Sequence, residues 1–98
     1  MLQEKIKIGY INPNDTIFIP NLLSEEDQTN FSATYYRNPE MWIGNLIIGA
    51  CDIALIPQEI CVEYSEDMQI LKEAEIYGEL REGLRALRRK KFPFINNE

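Results

Sequence analysis

The chain has no histidine and only two cysteines, Cys51 and Cys61. Without histidine the most frequent general base is missing, and a Ser–His or Cys–His nucleophile is excluded within this chain. Two cysteines ten positions apart do not make a four-ligand zinc pattern, so they read as buried, reduced thiols. No apolar run approaches the roughly 20 residues of a membrane span. The opening "MLQEKIKIGY" lacks the apolar centre of a signal peptide, so a cytoplasmic chain is expected. Positive charge is scarce in residues 1–80, which carry a net −10, while residues 81–98 carry a net +4. That acidic body repels nucleic acid backbones. The basic end "RALRRKK" reads as solvated cations near a helix C-terminus.

What is present fits one globular domain. The chain has 98 residues, 45% of them hydrophobic and 10% aromatic, enough for a single modest core. "KIKIGYI" (5–11) reads as a strand entering that core, and "NPND" (12–15) as a turn. "TIFIPNLL" (16–23) is irregular, because Pro20 is poorly tolerated in either regular element. "FSATYY" (31–36) is rich in aromatic and β-branched residues and reads as a second strand. Asn38 is a good N-cap, Pro39 suits a first helical position, and Glu40 suits the positive end of a helix. Trp42, Ile43, Leu46, Ile47 and Ala50 then fall on one helical face. Gly49 can supply the left-handed residue that stops the helix, and "CDIALI" (51–56) is a buried strand ended by Pro57. Strand, helix and strand joined by short links predict a βαβ unit.

For the C-terminal part, Ser65 can cap a helix with Glu66 and Asp67 in its first turn. Ile70, Ala74, Tyr77, Leu80, Leu84 and Leu87 recur at spacings of three or four. Gly78 and Gly83 weaken a helix there, and "AEIYG" (74–78) also reads as a strand. The spacing favours one long, interrupted amphipathic helix. The fold class is therefore α/β: a small sheet on a βαβ unit, with a long C-terminal helix. Its parts are a body at 1–64, the helix at 65–92 and a tail at 93–98.

"KIKIGYINPNDT", "NPEMWIGNLIIGACDIALIPQE" and "DMQILKEAEIYGEL" together resemble the first lobe of the type 2 periplasmic-binding-protein-like fold. The nearest likeness is to the chorismate dehydratase family of the futalosine menaquinone pathway. Pro39, Leu46, Gly49, Asp52, Ala54, Leu55, Ile56 and Pro57 match that family's central block. The resemblance implies a ligand cleft between two lobes. This chain departs from the family at Gln58, where the pattern has serine, and at Asp15, where the first loop carries asparagine. A complete member is also well over twice as long, so the dehydratase activity is not carried over.

Three functions are open at this point. The first is a non-enzymatic binding or adaptor module acting by protein–protein contact, as a homodimer or with another partner. Leu80, Leu84, Leu87 and Arg88 would form its interface. The second is a small-molecule lobe for a carboxylate or aromatic metabolite, with Asn12, Asn14, Asp15, Pro57 and Gln58 at the carboxyl ends of the strands. The third is an enzyme using Asp15 and Asp52 as paired carboxylates. No catalytic residue, cofactor or metal is assigned, and neither nucleic acid nor membrane is expected as a partner.

Overall fold

A computed structural model describes residues 5–63 and 72–90. Five strands form one mixed sheet: β1 (Ile6–Tyr10), β2 (Phe31–Tyr35), β3 (Ile53–Pro57), β4 (Ala74–Arg81) and β5 (Leu84–Arg89). Their spatial order is β2-β1-β3-β5-β4. β2 and β3 both run parallel to β1, while β5 runs antiparallel to both β3 and β4. Among the described residues, helices α1 (Met41–Ile48) and α2 (Gln58–Glu63) and a 3-10 segment (Pro13–Leu22) cover the faces.

Side chains alternate across this sheet and divide the core in two. On one face Ile6, Ile8, Ile53, Leu55, Leu84 and Ala86 meet Ile19, Leu22 and Leu23 of the first connection. On the other, Ala54, Ile56, Leu87 and Ala74 meet Tyr36, Trp42, Leu46, Cys51 and Cys61. β3 feeds both clusters, which is why "IALI" is a continuous apolar run. β1 presents Gly9 toward Tyr36. A Cβ at Gly9 would lie 2.3 Å from a ring carbon of Tyr36, so only glycine lets that ring lie against the strand.

The α/β class is as expected, and so are the parallel strands on either side of α1. β2 and β3 are not neighbours, however, because β1 lies between them. α1 starts at Met41 rather than at Pro39. Asn38 still caps the approach, its side-chain oxygen accepting from the Glu40 amide at 3.0 Å and its carbonyl from the Met41 amide at 3.0 Å. Gly49 ends the helix at φ 84°, in the left-handed region. Trp42 and Leu46 are buried as predicted, but Ala50 is exposed.

The main correction concerns the long helix expected over 65–92. Its described part from Ala74 onward is a β-hairpin, β4 and β5 joined through Glu82 and Gly83. Gly83 sits at φ 82°, a turn conformation that favours glycine. Leu84 and Leu87 belong to opposite faces of one buried strand, not to one helical stripe. Ser65, Glu66, Asp67 and Ile70 lie outside the described residues, as does the tail at 93–98.

Trp42 is 1% exposed, and truncating a buried aromatic side chain typically costs about 3–5 kcal/mol. Trp42→Ala is expected to lower the chemical-denaturation midpoint accordingly, and an unchanged midpoint would place the indole outside the core. Burial pushes both the Cys51 and the Cys61 thiols from an ordinary value of 9.0 up to about 11. Each stays protonated in the fold at a pH where the unfolded chain ionises. Their stabilising contribution is therefore complete below pH 9 and lost as pH rises through about 11. Stability measured against pH should fall across that window. Both thiols should react slowly with an alkylating reagent at neutral pH in the folded chain.

Candidate functional site

The two connections around β1 run on opposite faces of the sheet. The first leads from β1 to β2 under Ile19, Leu22 and Leu23, and the second leads from β2 through α1 to β3 over Trp42 and Leu46. Right-handed crossovers in opposite directions must lie on opposite faces. At their carboxyl ends β1 leads into the 3-10 segment on the first face and β3 leads into α2, whose Cys61 packs on the second face. The chain thus leaves these two neighbouring strands toward opposite faces, and such a topological switch point is where open α/β sheets hold ligands.

All five residues expected to line a ligand site reach this edge. Asn12 follows β1 and caps the 3-10 segment: its side-chain oxygen accepts from the Asn14 amide at 3.0 Å, and its carbonyl accepts from the Asp15 amide at 2.9 Å. Asn14 is exposed. Asp15 turns inward, is 1% exposed, and pairs through Oδ1 with Arg81 Nη2 at 3.1 Å. Its Oδ2 is buried with no hydrogen-bond partner among the described residues. Arg81 also donates to the Glu82 carbonyl at 2.8 Å, so one guanidinium bridges the hairpin tip and the first connection. Pro57 ends β3, and the Gln58 amide donates to the Gly83 carbonyl at 2.8 Å.

An open depression of about 490 Å³ lies between the start of α2 and the hairpin tip, lined by Gln58, Glu59, Val62, Glu82 and Gly83. Of the five expected residues only Gln58 lines it. Sequence reasoning missed Arg81, Glu59, Glu82 and Gly83. The signal for Arg81, Glu82 and Gly83 was the Glu82–Gly83 pair between two alternating runs, which is a hairpin mark.

Asp52 is at the opposite edge, where β3 begins. It is 3% exposed; its carboxylate accepts from the Lys7 amide at 2.9 Å and from Arg89 Nη2 at 2.6 Å. Asp15 and Asp52 therefore stand at opposite ends of β1 and cannot act on one substrate as a carboxylate pair. Among the described residues no cluster of three or more His, Cys, Asp or Glu could hold a metal ion. No helix among them is long and apolar enough to cross a membrane.

The expected leucine interface is not assembled. Leu84 and Leu87 are 0% and 4% exposed, each filling one face of the core, and Leu80 packs half-buried against the first cluster. Arg88 pairs with Glu75 at 2.6 Å and lies over the Tyr77 ring at 5.5 Å.

The two buried carboxylates should differ in stability effect. Asp52→Ala removes one partner of a buried, multiply bonded pair, a change that typically costs about 3–5 kcal/mol. Asp15→Asn should cost about 1 kcal/mol or less, because Arg81 is 43% exposed and asparagine keeps an acceptor. Urea midpoints of the two variants test the order, and equal losses would contradict it.

No family model, curated protein or solved structure matches this chain.

Proposed function

We propose that the chain is a non-enzymatic binding module that takes a small polar ligand at the carboxyl edge of its sheet. The observation that carries this reading is that the chain leaves the carboxyl ends of β1 and β3 toward opposite faces, into the 3-10 segment and into α2, with Asn12 and Gln58 beside that switch point. The resemblance of residues 38–57 to a first binding-protein lobe supports the same edge, since in that fold the ligand occupies a cleft between lobes. The ligand class differs from the carboxylate or aromatic metabolite that the resemblance implies. Glu59 and Glu82 face the depression, and Arg81 is already engaged by Asp15. Carboxylates on two sides disfavour an anion and favour a ligand rich in donors, such as an amine or a hydroxylated amine.

A thermal-shift series with small amines, amino-alcohols and dicarboxylic acids at millimolar concentration tests the reading. A rise in midpoint is expected with the amine class and not with the diacids. The rise should disappear in Gln58→Ala and in Glu82→Gln. No rise with any amine, or a rise that survives both substitutions, would remove the site.

A further inference from the structure

The two edges of the sheet are built differently. β4 carries Glu75, Glu79 and Arg81, and its pairing with β5 is broken by two register shifts. Charges and bulges of this kind stop an edge from recruiting another strand. β2 has none of these devices. "FSATY" contains no charge and no proline, its register with β1 is unbroken, and residues 32–35 are exposed.

The hydrogen bonds at the two ends of β2 give the direction of its backbone. The Ile6 amide donates to the Asn30 carbonyl and the Tyr36 amide to the Tyr10 carbonyl. In a parallel ladder the residues facing a neighbour alternate. Asn30, Ser32, Thr34 and Tyr36 therefore aim their peptide groups at β1, and Phe31, Ala33 and Tyr35 aim theirs away from the sheet.

The strand is also chemically symmetric about Ala33: aromatic, hydroxyl, alanine, hydroxyl, aromatic. Laid antiparallel against itself with Ala33 opposite Ala33, it sets Phe31 against Tyr35 and Ser32 against Thr34. Those are favourable cross-strand pairs, and no like charges meet within the strand. In this register the three outward-facing residues of each copy form the hydrogen-bonded pairs of an antiparallel ladder. The Tyr35 ring is already held beside Tyr10, with centroids 5.7 Å apart.

We propose that β2 is a homodimer interface, at which two copies pair antiparallel about Ala33 and join their sheets across a two-fold axis. The partner is a second copy of this chain, because the register that satisfies the outward peptide groups is also the one that matches side chains by type. This interface is independent of the ligand edge, and its failure would leave the ligand reading untouched.

Sedimentation equilibrium over a micromolar-to-millimolar series tests it, with circular dichroism to confirm folding. Wild type should dimerise. Ala33→Pro removes an amide that points away from β1, a placement proline tolerates at an edge. Ala33→Lys sets two cations against each other. Each variant should remain folded and weaken dimerisation by at least about tenfold. If the proline variant fails to fold, the lysine variant decides. Ala33→Cys should form an intermolecular disulfide on mild oxidation, since directly opposed hydrogen-bonded residues lie about 5.5 Å apart at Cα. A wild-type chain that is monomeric at millimolar concentration would overturn the proposal. So would a dimer that survives Ala33→Lys, or one that Ala33→Cys does not cross-link.

Discussion

Asp52 ties together three strands that are far apart in the chain. Its amide donates to the Lys7 carbonyl at 2.7 Å, and its carboxylate accepts from the Lys7 amide at 2.9 Å. Its carbonyl accepts from the Arg89 amide at 2.9 Å, and its carboxylate takes the Arg89 guanidinium at 2.6 Å. One residue thus fixes the relative positions of β1, β3 and β5 at the edge where β1 and β3 begin. A carboxylate buried this deeply is tolerable only because charged and backbone donors meet it. The Lys7 ammonium, on the Gly49 carbonyl at 2.8 Å, adds the end of α1 to the same knot.

The opposite edge is tied down less tightly. At the carboxyl ends of β1 and β3 the chain turns away in opposite directions. The groups there are less completely engaged: Asp15 keeps an unpartnered oxygen, Arg81 is 43% exposed, and Gln58 faces an open depression. Rigid strands carrying partly engaged polar groups are the usual support of a binding site. Core packing favours this division. Gly9 clears one face for Tyr36, and burial followed by the adjacent Cys51 pushes the Tyr36 hydroxyl well above its ordinary value. Tyr36 therefore belongs to the core and stays neutral.

Four elements of the first sixty residues were legible because each carries its own local signal, whereas the 3-10 segment at Pro13–Leu22 and the short helix α2 were not. Alternation marks β1, aromatic and β-branched residues mark β2, Gly49 marks the end of α1, and an apolar run marks β3. The order of strands was not legible. It depends on which face each connection covers, and no local pattern records that choice. Residues 74–89 misled because their leucines satisfy two periods at once. Leu80, Leu84 and Leu87 fit a helical face, while Leu84 with Ala86 fits one side of a strand and Leu87 the other. Gly78 and Gly83 decide between the periods. Gly78 lies at a register shift and Gly83 at the turn, where both are costly in a helix and useful in a hairpin. At the carboxyl edge, the turn at Asn12 and Asp15 was legible from its residue types. Arg81 was not, because its partner is 66 positions away.

Backbone amide hydrogen exchange, read residue by residue by nuclear magnetic resonance, shows whether Asp52 holds the three strands together. If Asp52 joins β1, β3 and β5, the amides of Lys7, Asp52 and Arg89 should exchange together with those of β3, at the slow limit set by global unfolding. Carbon chemical shifts over 74–81 and 84–89 should be those of strands. Rapid exchange at Arg89 with helical shifts across those residues would contradict the account.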